Sequence, residues 1–459
     1  MDAVRYLVMR CLPRGDVTLP RILSAAGGAT ALSPRWRRIW RSEPLVLYDV
    51  DLLHWHPHWD PAFPASVTRI LGGHPGPFRT VHLRNGFFGI PRCEPELHLW
   101  PRLLADDGGV QDLVFISQPP PIDMPLPADI LRCAKLRRLY LGFLVFPDTS
   151  DLPDGAGVFP HLREFVLLNT RIEDRDLDHM LASSPKLELL AFVVSYGLPQ
   201  HFRLRGQNLK CVLFMISGAV EVAVMDAPRL ERFFMFRVDS LSEDDESLMA
   251  VRITCAPALK VFGYLDAGAH QLRIGDTIIK ADTKATPSSV VPSIKILALK
   301  VNLGVFSEVQ MVASFLRCFP NIETLHVESA ITDGPTGEHY TEFFEKLRPI
   351  ECVQSRIKKV VLHEFRVDVS EAAFLKYLTQ RVNQLQELTV VLSDERLVSM
   401  GQQLLSGLAI PPWATKACTV SLVGPKRDWI FHTASDLSID DPFVSDHGQE
   451  LFRFIKKGN

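Results

Sequence analysis

A chain of 459 residues with 47 % hydrophobic and 22 % charged residues is ordinary globular material, which excludes a disordered or fibrous polymer. With 50 Lys and Arg against 53 Asp and Glu, the net charge of −3 excludes the basic excess of a dedicated nucleic-acid binder. The eight cysteines stand no closer than 34 residues apart, which excludes CxxC pairs and zinc-finger spacing and fits a reducing compartment.

At the N-terminus, Arg5 and Arg10 interrupt the apolar run that a signal peptide requires. The first segment with a clear period is "ALSPRWRRIWRS" (31–42). Ser33 can cap a helix and Pro34 is tolerated at its first position. At about 100° per residue, Trp36, Ile39 and Trp40 share one arc, with Arg35, Arg37, Arg38 and Arg41 around the rest. The tryptophans must face something apolar, so protein contact or local core is preferred to DNA reading. Next, "HWHPHWD" (54–60) sets His54, His56 and His58 at alternate positions. Pro57 and the flanking tryptophans favour a loop or interface there, and no metal is expected.

From Phe78 onward one pattern repeats twelve times: apolar, two free positions, apolar, one free position, apolar. The first residues of these units are Phe78, Val110, Leu136, Leu162, Leu187, Leu209, Leu230, Leu259, Ile294, Ile322, Ile357 and Leu385.

 

Six of these units carry a proline two residues ahead of the first apolar position, as in "FPHLREFVLL" (159–168, first apolar Leu162) and "APALKVFGYL" (Leu259). Successive units are 21 to 35 residues apart, the spacing of an irregular leucine-rich repeat. The last two apolar positions of each unit lie on one side of a short strand and point into a shared core. Proline cannot donate to a strand ladder, so it sits just ahead. Segments such as "DRDLDHMLASS" (174–184) and "EVQMVASFLRCF" (308–319) read as helices returning the chain between strands. The fold expected is an α/β leucine-rich-repeat solenoid, or horseshoe, behind a short N-terminal helical segment. Insertions are expected at "QPPPIDMPLP" (118–127), "SEDDES" (242–247) and "DTKATPSSVVPS" (282–293), and "CVLFMISGAV" (211–220) stops at Glu221, too short to span a membrane.

Strand residues on the side away from the core should be polar if that side is merely wet. In two central units they are apolar: Cys211, Leu213 and Met215, then Phe234 and Phe236. Farther along the same positions are polar or mixed, among them Lys300, Thr324, His326, Glu328, Lys359 and His363. The expectation is an exposed concave groove with an apolar centre and a charged C-terminal end. Leu213, Met215, Phe234, Phe236 and His326 are its candidate target-binding residues. The competing reading is that a loop such as 118–127 folds over them. No catalytic motif appears, so no enzyme activity and no cofactor are expected.

"ALSPRWRRIWRSEPLVLYDVDL" (31–52) resembles the end of an F-box, and "RIKKVVLHEFRVDVSEAAFLKYLTQRVNQLQELTVVLSDE" (356–395) resembles the FBD region of the plant F-box/leucine-rich-repeat group. The resemblance implies an F-box-like segment over 1–50, repeats over 51–350 and an FBD-like cap and tail over 351–459. It implies that Leu32, Trp36, Ile39 and Trp40 contact the Skp-type adaptor of a cullin–RING ubiquitin ligase, with Arg35 and Arg37 at the rim. The repeats would then select a target protein, in the cytoplasm or nucleus, with no nucleic-acid or membrane partner. "RCLPRGDV" (10–17) matches one upstream turn of an F-box, but "TLPRILSAAGG" (18–28) intervenes before "ALS", so the F-box reads as degenerate. A scaffold or decoy that does not engage the adaptor stands as the alternative.

Overall fold

The computed structural model describes residues 42–49, 52, 62–86, 94–106, 109–117, 124–152, 158–196, 199–217, 219–237, 248–331, 339–407, 418–425 and 434–443. The chain divides into two compact units, taken separately below. The first covers Met1–Phe202 with Gly206–Leu209 and Met215–Ser217, and the second covers the remainder.

In the first unit, six strands pair in parallel and in sequence order: β1 (Leu45–Tyr48), β2 (Phe78–Gly86), β3 (Asp112–Ser117), β4 (Arg138–Gly142), β5 (Glu164–Leu168) and β6 (Leu189–Tyr196). Helices α1 (Ala62–Gly73), α2 (Glu94–Asp106) and α3 (Asp174–Ser183) form crossovers between them. The crossover into β5 is tied down by Asp176, buried at the start of α3. Its carboxylate accepts from the Thr149 N–H at 2.9 Å and the Thr149 hydroxyl at 2.7 Å.

The second unit holds the parallel run made of Cys211–Phe214 of β8 (Cys211–Ser217), β10 (Arg232–Arg237), β12 (Val261–Asp266), β15 (Ile296–Val301), β16 (Thr324–Ser329), β17 (Lys359–Phe365), β18 (Glu387–Leu392) and β19 (Thr419–Val423). A smaller sheet is ordered β14 (Thr277–Ile278), β13 (His270–Ile274), β11 (Met249–Ile253), β9 (Glu221–Asp226) and β7 (His201–Arg205). Helix α4 (Phe306–Cys318) crosses from β15 to β16, α5 (His339–Lys346) and α6 (Glu351–Ser355) precede β17, α7 (Val369–Arg381) joins β17 to β18, and α8 (Val398–Gly407) precedes β19. Among the described residues no helix is long and apolar enough to cross a membrane.

All twelve first positions of the repeat pattern are buried, none more than 7 % exposed. From Val110 onward every one is followed, two residues later, by the first residue of a strand. The chain is thus α/β with a mostly parallel sheet of leucine-rich-repeat type. Between β8 and β12 strands β9 and β11, rather than helices, return the chain. The reason is local: "EVAVMD" and "MAVRI" alternate with period 2, and Val222, Val224, Val251 and Ile253 fill the core from the second sheet.

Strand β12 comes unusually close to β15. A Cβ added at Gly263 would stand 2.4 Å from Ala298 Cβ and 2.9 Å from its carbonyl oxygen. Gly263→Ala is therefore expected to cost about 2 kcal/mol or more, read as a lower midpoint in chemical unfolding. Ala298→Gly should restore only part of it, since the carbonyl remains. An unchanged midpoint for the single variant would show that the strands part freely.

Candidate functional site

Residues of the second unit's main sheet that alternate with the core positions build one continuous face. Register sets Arg232 beside Val261 and Phe234 beside Gly263, then Ala298 beside His326 and Glu328 beside His363. A register shift between Phe262 and Leu265 brings Tyr264 onto the same face.

This face is not open. Leu213 is 1 % exposed, and Phe234 and His326 are 0 % exposed, while Met215 and Phe236 are half-buried. The expected exposed groove is thereby corrected. The cover among the described residues is the chain's own segment 434–443; of the loop 118–127, residues 118–123 lie outside the described residues. The Cys211 thiol donates to the Ala434 carbonyl at 3.3 Å. The Arg232 guanidinium, 6 % exposed, donates to the carbonyls of Asp436 at 2.7 Å, of Leu437 at 3.1 Å and of Ile439. Several donors set in a rigid fork suit arginine to gathering carbonyl oxygens from a folded-back chain.

At the far end the Phe443 ring enters an aromatic pocket. Its centroid lies 5.5 Å from Phe234 and 5.1 Å from Tyr264, both edge-to-face, and 5.0 Å from the His326 ring. Phe236 backs this pocket, 5.3 Å from Tyr264. His326 Nε2 meets the Asp441 carboxylate at 3.1 Å, and its Nδ1 meets His363 Nε2 at 3.0 Å with the two rings stacked. A carboxylate only accepts, so His326 Nε2 carries the proton, and one further proton lies between the two histidines. Burial pushes the Asp441 carboxyl up, but the hydrogen bond and charge of His326 and the Phe443 N–H more than offset this, leaving it below the ordinary range. Burial, with Glu328 and Asp441 nearby, holds the Tyr264 phenol well above its usual value, so it stays neutral.

Of the five face residues picked from sequence, Phe234 and His326 touch the segment's aromatic ring and Phe236 supports that contact. Met215, in the part of β8 that belongs to the first unit, is half-buried. Sequence reasoning missed Arg232, Tyr264, Asp441 and Phe443. The available signal was the apolar Pro442-Phe443 step directly after Asp440-Asp441, both of its residues buried here. His363, read from sequence as part of a charged groove end, stacks on His326. Leu32, Trp36, Ile39 and Trp40, with Arg35 and Arg37, lie outside the described residues, as do His54, His56 and His58.

Burial pushes the thiols of Cys133, Cys211, Cys318 and Cys352 up to about 12, which keeps them protonated and weakly nucleophilic at neutral pH. Among the described residues no group of three His, Cys, Asp or Glu side chains is placed to hold a metal ion.

Comparison with known families gives two matches. The family described as "FBD-associated F-box protein At5g56370, LRR repeats" matches residues 97–327, and the FBD family matches residues 345–390. The second match covers β17, α7 and the first part of β18, with Phe374, Leu375 and Leu378 of the helix buried. No curated protein matches the chain significantly. Repeat strands over more than half its length, followed by the FBD segment, place the chain in the family of FBD-associated F-box proteins with leucine-rich repeats.

Proposed function

We propose that the protein is a non-catalytic target-recognition subunit of a Skp–cullin–F-box ubiquitin ligase. In this reading residues 1–50 dock on the Skp-type adaptor, and the repeats stack as a solenoid whose strand face selects the protein to be ubiquitinated, in the cytoplasm or nucleus. The observation that carries it is the paired family match to F-box-associated repeats and to FBD. The face that seats a chain segment through main-chain, carboxylate and aromatic contacts supports a role in binding protein. The intervening "TLPRILSAAGG" and its Gly27-Gly28 pair favour one rival reading, a repeat scaffold that does not engage the adaptor.

Direct binding to a plant Skp-type adaptor separates the two. The parent protein is expected to bind, and Trp36→Ala/Trp40→Ala to bind about a hundredfold more weakly, since buried tryptophans dominate such interfaces. An intact parent that fails to bind any adaptor removes the ligase role and leaves the scaffold.

A further inference from the structure

The segment 434–443 is held as a ligand would be. It adds no strand to either sheet. Its turns close on themselves: the Ile439 N–H donates to the Asp436 carbonyl at 3.2 Å, and the Phe443 N–H to the Asp441 carboxylate at 3.1 Å. Asp436, Leu437, Ser438 and Asp440 are exposed, so the segment is a cover fastened at a few points rather than a layer of core.

The fastenings divide by what they read. Arg232 gathers three main-chain carbonyls and is indifferent to side chains. His326 requires a carboxylate, and the pocket of Phe234, Tyr264 and His326 requires an aromatic ring two residues farther on. Stripped of the segment, those rings and the Arg232 guanidinium would face water, an arrangement that calls for an occupant. Nothing in these contacts requires the occupant to be covalently attached.

We propose that this face is a recognition site for a partner-protein segment bearing an aspartate two residues ahead of a phenylalanine, and that residues 434–443 are an internal ligand such a partner displaces. That the partner is a ubiquitination target rests on the function proposed above; the site itself does not. A tethered segment competes at an effective concentration of about a millimolar, so a free segment meets a strongly lowered apparent affinity until the tether is released.

The test uses the full chain and a fluorescent peptide with the sequence of residues 434–443. Phe443→Ala, which empties the ring pocket, is expected to bind this peptide about tenfold or more tightly than the parent does. A peptide with the residues corresponding to Asp441 and Phe443 both changed to alanine should not bind, and Phe234→Ala added to the Phe443→Ala protein should abolish binding. Should Phe443→Ala fail to fold, Asp441→Asn, which keeps the ring, carries the same comparison with a smaller gain. A folded tail variant that binds the peptide no better than the parent, or binds the altered peptide equally well, overturns the proposal and makes the segment a fixed part of the fold. Adaptor binding is measured separately, so failure of the ligase reading would leave this result standing.

Discussion

Replacing Arg232 by alanine is expected to release residues 434–443 from the sheet. The guanidinium makes three hydrogen bonds to main-chain carbonyls separated from it by more than 200 positions in the sequence. Bonds from a charged donor contribute about 1.5–3 kcal/mol each, but they share one side chain and the freed carbonyls regain water, so a net loss of about 3 kcal/mol is expected. Amide hydrogen exchange checks it most directly: the amides of Ile439 and Phe443, now in closed turns, should exchange about a hundredfold faster. Arg232→Lys should fall between, because an ammonium keeps the charge but not the fork. Exchange at those amides unchanged in Arg232→Ala would show that the aromatic pocket holds the segment alone.

The second large effect is expected at Glu371, in the FBD-matching part of the chain. Its side chain, buried in the first turn of α7, accepts from the Ser329 hydroxyl at 2.5 Å, the Arg366 N–H at 2.8 Å and the Asp368 N–H at 3.0 Å. The Arg366 guanidinium lies 3.5 Å away and also binds the carbonyls of Ser329 and Ala330. One carboxylate thus joins the end of β16, the exit of β17 and the capping box that starts α7. Glu371→Ala leaves these donors without their acceptor and is expected to cost about 3 kcal/mol in chemical unfolding. A loss well under half of that would mean that water replaces the carboxylate.

The pH dependence at the same residue has a definite sign. Burial raises the Glu371 carboxyl above its ordinary value, and the bonds from Ser329, Asp368 and Arg366 only partly offset it. A raised folded pKa favours the protonated form, so this contribution is complete below the unfolded value of about 4.3 and is lost as pH rises through the folded one. Glu371→Gln removes the titration while retaining an acceptor. The stability advantage of the parent over Glu371→Gln should therefore shrink as pH rises from 4 toward neutrality. A gap that widens instead would mean that the hydrogen bonds outweigh burial.

The repeat strands were legible because their cause is local. An apolar pair two residues apart, led by another apolar residue and in half the cases by proline, suffices to set a strand edge, and every unit from Val110 to Leu385 placed its strand two residues on. Helices α3 and α4 followed from their period for the same reason. The crossover strands β9 and β11 were not singled out, although "EVAVMD" and "MAVRI" carry their own period-2 alternation. The Asp368-x-x-Glu371 capping spacing was present in the sequence, but the burial of Glu371 by Ser329 and Arg366 was not, since it depends on β16 and β17 meeting there.

By itself, then, the sequence determined the α/β repeat architecture, the order of its sheet strands and the family to which the chain belongs, because periodicity and short motifs are properties of neighbours. It also showed which side of β8 and β10 carries apolar residues. Only the tertiary structure decided that this side is covered, and by what. Phe234 and Phe443 lie more than 200 positions apart, yet stand 5.5 Å from ring to ring. No local pattern encodes a contact of that kind: an apolar side chain specifies that it must leave water, while the folded chain selects what it meets.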